Sequence, residues 1–196
     1  MNATPALAIL FGSIFTNNIL FASFLGMCSF LVCSNKIDTA AGLGGAVTFV
    51  LFFTSVLNYL IYYFVLVPLG LEFLSFIIFI AVVAAFVQFV EMFVERFSPT
   101  LYYALGIFLP LITVNCAILG ASLFMIIREY SLTQTIFFGV GAGLGWALAI
   151  LLMAGLREKM GYSNVPRGLR KTGVVMLMAG VIAMSFMGFS GMLSVQ

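Results

Sequence analysis

The sequence predicts an all-α integral membrane protein, with six transmembrane helices forming a 3+3 inverted repeat in which helices 1 and 4 are broken. Three observations lead there. The 196-residue chain is 64% hydrophobic and 7% charged, whereas soluble domains run near 45–50% apolar and about 25% charged. Its apolar runs are long enough, at about 20 residues or more, to cross a hydrocarbon core of about 30 Å as helices. Two of the runs hold a cysteine beside helix-disturbing residues, at corresponding places in the two halves: Phe24-Leu25-Gly26-Met27-Cys28 and Phe108-Leu109-Pro110-Leu111-Ile112-Thr113-Val114-Asn115-Cys116.

The six runs lie at about 5–33, 39–69, 73–95, 101–127, 132–156 and 172–193. Helices are expected throughout, because a lone strand would leave its backbone groups unpaired in lipid. Span 1 is expected to be permanent, since Met1-Asn2-Ala3-Thr4-Pro5 lacks the positive region of a cleaved signal. It contains Asn17-Asn18 and Gly26 and stops at Ser34-Asn35-Lys36. Span 2 stops at Pro68-Leu69-Gly70, and span 3 at Arg96-Phe97-Ser98-Pro99. Span 4 carries Gly106, Pro110 and Gly120, with Thr113 and Asn115 between them, and ends at Arg128-Glu129. Proline removes a backbone donor and glycine leaves helical geometry cheaply, so spans 1 and 4 are expected to be interrupted. Span 5 contains Gly139, Gly141, Gly143 and Gly145, which read as a smooth face for close helix packing. A polar loop over 157–171 precedes span 6.

Basic residues orient the chain. The loops after spans 1, 3 and 5 hold Lys36, Arg96, Arg157, Lys159, Arg167, Arg170 and Lys171, and the other side holds only Arg128. The positive-inside rule places the first group in the cytoplasm and both termini outside. Three spans per half make the second half, about 99–196, start on the opposite side from the first, about 1–98; halves sharing a fold then form an inverted repeat within a single transmembrane domain. Cys28 and Cys116 stand 88 residues apart, close to half the chain.

Paired broken helices mark functional sites in inverted-repeat transporters, although kinks and small packing residues are also ordinary in membrane helices. Singly, Cys28 and Cys116 are as well explained as small buried hydrophobes. As a matched pair they are soft metal ligands, and because iron–sulfur clusters usually take four thiolates, two from this chain require two from a partner. Cys33 has no counterpart, Ala121 standing at the matching place, and is expected to be structural. Glu91, with Gln88 and Glu95, lies on one face of span 3. It is a candidate for an ion pathway, or a carboxylate near the cytoplasmic end that reaches water or Arg96. Tyr62, Tyr63, Tyr102, Tyr103 and Tyr130 suit an interfacial aromatic belt.

Composition excludes much else. Without histidine the chain offers no imidazole for haem, zinc or general-base work. A net charge of +2 without a basic stripe gives no nucleic-acid footprint. Three cysteines in apolar surroundings argue against a disulfide framework. The glycine string of span 5 lacks the strand–helix context and acidic residue of a dinucleotide site.

Several stretches resemble a known family: Phe24-Leu25-Gly26-Met27-Cys28; the run from Leu105 through Cys116 to Ile118; and Ser185-Phe186-Met187-Gly188-Phe189-Ser190-Gly191. The family comprises the E subunit of the bacterial sodium-pumping NADH:quinone oxidoreductase and the A subunit of the Rnf-type ferredoxin:NAD oxidoreductase. Ala154-Gly155-Leu156-Arg157-Glu158-Lys159-Met160, Tyr162-Ser163-Asn164-Val165-Pro166 and Gly145-Trp146 are closer to the quinone-reductase branch. The resemblance implies a multi-pass subunit of the bacterial inner membrane with periplasmic termini, in a six-subunit complex. It implies pairing with a homologous D subunit of opposite topology and a shared [2Fe-2S] cluster ligated here by Cys28 and Cys116. It further implies a part in sodium handling at Glu91, with NADH, flavins and quinone on other subunits, and no ligand role for Cys33. Such a subunit passes electrons in a redox-driven sodium translocase and is not catalytic alone. An Rnf-type subunit, a stand-alone inverted-repeat secondary transporter and a purely structural assembly subunit are the alternatives.

The charge split generates a first prediction. A reporter active only in the periplasm gives signal when fused at Gln196, and a cytoplasmic reporter there is silent; the reverse pattern overturns the orientation.

Overall fold

The computed structural model describes residues 6–97, 109–160 and 172–188. Among the described residues every regular element is helical. Four helical segments, Ile37–Leu69, Glu72–Phe93, Pro110–Ile127 and Leu132–Met160, are long and apolar enough to cross a membrane. Two more, Ala6–Thr16 and Thr172–Met187, are apolar but shorter. Gly106, Tyr102, Tyr103 and most of the loop over 157–171 lie outside the described residues.

The N-terminal segment is the least regular. Helix α1 (Ala6–Phe11) runs into a π-helical turn (Gly12–Thr16), followed after Asn17-Asn18 by α2 (Ile19–Ser23) and α3 (Met27–Cys33). Both sequence-marked weak points, Asn17-Asn18 and Gly26, are interruptions. Helix α4 (Ile37–Ile61) has Asp38 in its first turn, where a carboxylate complements the helix dipole. Its hydroxyls turn inward: Thr48 donates to the Gly44 carbonyl at 2.7 Å, Thr54 to Val50 at 2.7 Å and Ser55 to Leu51 at 2.6 Å. That satisfies each polar group in an apolar setting. The segment continues through a π turn (Tyr62–Leu66) and α5 (Val67–Leu69), and ends on Gly70 at φ 67°, a left-handed stop that glycine adopts freely.

Helix α6 (Ser75–Phe97) buries Phe79, Val83 and Val87, one face at a spacing of four, and exposes Ile77, Ile80 and Phe89. In the second half α7 (Leu109–Thr113) is separated from α8 (Cys116–Ile127) by Val114-Asn115. Among the described residues the break thus falls at Val114-Asn115, and Pro110 lies within α7. Gly120 does not break α8. It makes room for Leu25, whose side chain occupies the space a Cβ there would need.

Helix α9 (Leu132–Met160) is the spine of the fold. The Ser131 N–H is capped by the Gln134 side chain at 3.0 Å, half of a capping box. The glycine run is a packing surface, as the sequence predicts, but it has two faces. A Cβ at Gly139 or Gly143 would meet Ser55 or Thr48 of α4, whereas one at Gly141 or Gly145 would meet Leu10 or Ser13 of the N-terminal segment. Residues two apart on a helix point about 200° apart, so α9 is gripped from opposite sides. The helix extends four residues beyond its sequence-expected end, to Met160. Arg157 therefore sits on its last turn, donating to the Leu31 carbonyl at 3.0 Å and the Ser34 hydroxyl at 2.7 Å, where it closes the end of α3. The last helix, α10 (Thr172–Met187), packs on α2 and α9 through Val175, Ala179 and Ala183.

One tyrosine departs from the sequence reading, and one buried polar pair adds to it. Tyr130 is buried against Phe138 at a centroid distance of 5.4 Å and takes a hydrogen bond from Arg128 at 3.0 Å. It therefore belongs to the α8–α9 turn rather than to an exposed belt, because the sharp turn at Glu129, φ 49°, folds it back onto α9. Asn58 of α4 donates to the Ser122 hydroxyl of α8 at 2.8 Å, a buried cross-helix bond of a type that averages about 0.6 kcal/mol in membranes.

Gly143→Ala places a methyl 2.8 Å from the Thr48 Cα, a backbone atom with nowhere to swing. It is expected to destabilise the fold by about 1–3 kcal/mol. Gly42→Ala, with nothing within 4 Å, leaves stability unchanged or raised. Thermal unfolding of the two variants in detergent measures the difference.

Candidate functional site

The two cysteine-bearing interruptions form one site. In the first, α2 ends where Phe24 takes left-handed angles, φ 55° and ψ 23°. The N–H groups of Phe24 and Leu25 both return to the Ile19 carbonyl, the latter at 3.3 Å. Left-handed backbone in a non-glycine residue costs roughly 1–2 kcal/mol. Gly26 follows at φ 83° and α3 begins, placing Cys28 in its first turn. A side chain at Gly26 would be strained by that φ and would also lie 2.5 Å from the Trp146 indole nitrogen.

In the second interruption Val114 and Asn115 leave the helix, and Asn115 caps its resumption. Its Oδ1 accepts the Ala117 N–H at 3.0 Å, the role for which asparagine is favoured before a helix. Cys116 is then the first residue of α8. The upstream break in the first half uses the same device. Asn18 Oδ1 accepts the Leu20 N–H at 3.1 Å, while its Nδ2 donates to the Ile14 carbonyl at 3.1 Å and the Gly145 carbonyl at 2.8 Å.

The two breaks touch. The Gly26 N–H donates to the Cys116 sulfur at 2.9 Å, across 90 residues of sequence. The Cβ position of Gly26 lies 3.1 Å from Ala117 Cβ and 3.2 Å from Asn115 Oδ1. The turn that leads into the Cys28 helix is thereby fixed against the Cys116 sulfur. Cys28 is exposed, Cys116 half-buried and Cys33 buried in the apolar core. The Cys28 sulfur has the Ser29 hydroxyl at 3.9 Å. Two buried donors at the site, Asn115 Nδ2 and the Trp146 indole N–H, have no hydrogen-bond partner among the described residues. Such orphaned donors cost free energy unless an acceptor reaches them.

Among the described residues no three histidine, cysteine or carboxylate side chains come together as a metal site. Chemically, the breaks offer two thiols that are free of any disulfide, one of them facing outward, in a setting with spare N–H donors. That donor set fits an electron-rich, thiolate-ligated centre completed from outside the chain. Glu91 is half-buried in the later turns of α6, with Gln88 and Glu95 exposed; α6 packs on α7 and α8. Sequence reasoning located the interruptions and the cysteines. It missed the Gly26–Cys116 bond, the Trp146 contact and the tie from Asn18 to α9. Asparagine just before a renewed apolar run was the one available signal for the caps.

Comparison with known proteins extends this reading. A family model described as "Rnf-Nqr subunit, membrane protein" matches residues 6–193. A protein of Shewanella denitrificans, named as the E subunit of Na(+)-translocating NADH-quinone reductase, is 51% identical over 195 residues, covering 94% of this chain and 96% of its own length. Proteins with the same name from Psychromonas ingrahamii and Aeromonas salmonicida are 51% and 52% identical, with the same coverage of both chains.

Proposed function

This chain belongs to the Rnf-Nqr family of membrane-protein subunits, and we propose that it is the electron-transferring E-type subunit of a sodium-translocating NADH:quinone oxidoreductase of the bacterial inner membrane. In this reading Cys28 and Cys116 supply half the ligands of an intramembrane [2Fe-2S] cluster. Two cysteines of a homologous D-type subunit of opposite topology supply the rest. The observation that carries the reading is the meeting of the two cysteine-bearing breaks through the Gly26–Cys116 hydrogen bond. The exposure of Cys28 supports a shared rather than an enclosed centre. The names of the relatives favour the quinone reductase over the Rnf-type enzyme.

A bound cluster would supply a one-electron carrier between the complex's other redox groups. The chain's own residues do the holding. Asn115 starts α8 so that Cys116 stands at its first turn, and Gly26 starts α3 so that Cys28 stands in the first turn of that helix. Trp146 and Ala117 fill the space behind Gly26 and keep water from the buried side. The six spans would form a 3+3 inverted repeat with both termini periplasmic. NADH, flavins and quinone would bind elsewhere in the six-subunit complex, with Glu91 in the sodium path.

Serine nearly keeps the volume of cysteine but replaces a soft thiolate with a harder oxygen donor. In the assembled complex, Cys28→Ser and Cys116→Ser are each expected to abolish the reduced-cluster spectrum and lower bound iron, while Cys33→Ser, in the apolar core, leaves both. Electron flow from NADH to quinone falls sharply in the first two, and NADH oxidation by a soluble acceptor is retained. Full iron and normal turnover in either variant overturns the cluster assignment.

Glu91→Ala is expected to weaken the sodium dependence of quinone reduction and leave iron content intact, because a carboxylate suits a hard cation and the thiols carry the iron. Quinone reduction titrated with sodium is the measurement, and an unchanged titration removes Glu91 from the ion path.

A further inference from the structure

Among the described residues the two sulfurs of this chain differ in their hydrogen bonding. The Cys116 sulfur accepts a backbone N–H, that of Gly26, at 2.9 Å. The residue standing two before Cys116, as Gly26 stands two before Cys28, is Val114, and it is 75% exposed. The Cys28 sulfur has the Ser29 hydroxyl at 3.9 Å, a long contact within its own turn.

The Gly26 donor is also held more firmly than a loop N–H usually is. Its N–H is aimed at the Cys116 sulfur at the start of α8, and three groups close on its Cβ position: Trp146 Nε1 at 2.5 Å, Ala117 Cβ at 3.1 Å and Asn115 Oδ1 at 3.2 Å. Trp146 is fully buried and Asn115 is 2% exposed, so neither wall retracts into solvent. Nearby, Leu25 fills the notch at Gly120 and pins the same turn to the same helix.

We infer that Gly26 is a positioning residue for the proposed centre, its N–H orienting the Cys116 sulfur and raising the redox potential of the iron bound through it. The inference rests on the cluster reading given above. The physical reason is that reduction adds negative charge, which spreads onto the ligand sulfurs. A fixed N–H dipole aimed at one sulfur stabilises that added charge, and hydrogen bonds to sulfur are among the levers that set iron–sulfur potentials. Glycine is required twice over: for its left-handed backbone, and because a Cβ would collide with the indole.

The test uses the assembled complex. With ¹⁵N-glycine labelling, electron spin-echo spectra of the reduced centre show a coupling from a glycine nitrogen. In Gly26→Ala that coupling is lost and the midpoint potential shifts to more negative values, with iron content retained. Gly155→Ala, where a Cβ meets nothing within 4 Å, changes neither. If Gly26→Ala assembles no centre, Trp146→Phe serves instead. It keeps the glycine but removes the indole edge that holds it, and it is expected to weaken the coupling and shift the midpoint in the same direction. A reduced centre with no glycine coupling, or with coupling and midpoint unchanged in these variants, overturns the inference while leaving the cluster reading intact. A centre that persists in Cys116→Ser overturns the cluster reading itself.

Discussion

Every backbone N–H and C=O within hydrocarbon must find a partner inside the protein, since water is absent and an unmet group costs several kcal/mol. This chain interrupts its helices at Asn17-Asn18, at Phe24–Gly26 and at Val114-Asn115, and its architecture follows from how those interruptions are satisfied. Two asparagines restart helices by capping N–H groups with their own oxygens, and Asn18 also reaches the Ile14 and Gly145 carbonyls. At the third break the α2 terminus folds back on the Ile19 carbonyl. The Gly26 N–H goes to a cysteine sulfur on the other half of the molecule. The site is thus made from the same accounting that permits the breaks at all.

That accounting needs a close approach, and α9 provides it. Membrane helices gain nothing from burying apolar side chains against one another rather than against lipid, so small residues and tight contact decide where they meet. Gly139 and Gly143 admit α4, and Gly141 and Gly145 admit the N-terminal segment. Gly145 does a second job: without a side chain there, Asn18 reaches its carbonyl at 2.8 Å. One residue further along, Trp146 passes through the same interface and stands behind Gly26. The packing spine and the candidate site are therefore mechanically one object, with Arg157 fastening the far end of α3 to the same helix.

The site is open on one side. Cys28 faces outward and Cys116 is half-buried, while the walls behind them, Trp146, Ala117 and Asn115, are closed. Broad apolar faces remain exposed on α6 and α10, at Ile77, Ile80 and Phe89 and at Leu177, Val181 and Met184. Lipid or protein of similar polarity suits such faces equally well, so it is the outward thiol, more than the apolar surface, that favours a complementary subunit.

The sequence by itself determined the class of the protein and the places where its helices fail. Apolar run length is a local quantity fixed by bilayer thickness. The breaks at Asn17-Asn18 and Gly26 are local too, because asparagine caps and glycine adopts positive φ wherever they stand. For the same reason Cys28 and Cys116 were legible as a pair from their neighbours alone. Local rules misjudged Gly120, whose use is steric room for Leu25, and Tyr130, which a sharp turn carries into the core. Only the tertiary structure decided that the two breaks meet, that the glycine run serves two opposite partners, and that the Cys116 sulfur receives the Gly26 N–H. Those facts join residues about a hundred positions apart. They depend on which small residues face which helix, and no period or motif within one segment encodes that.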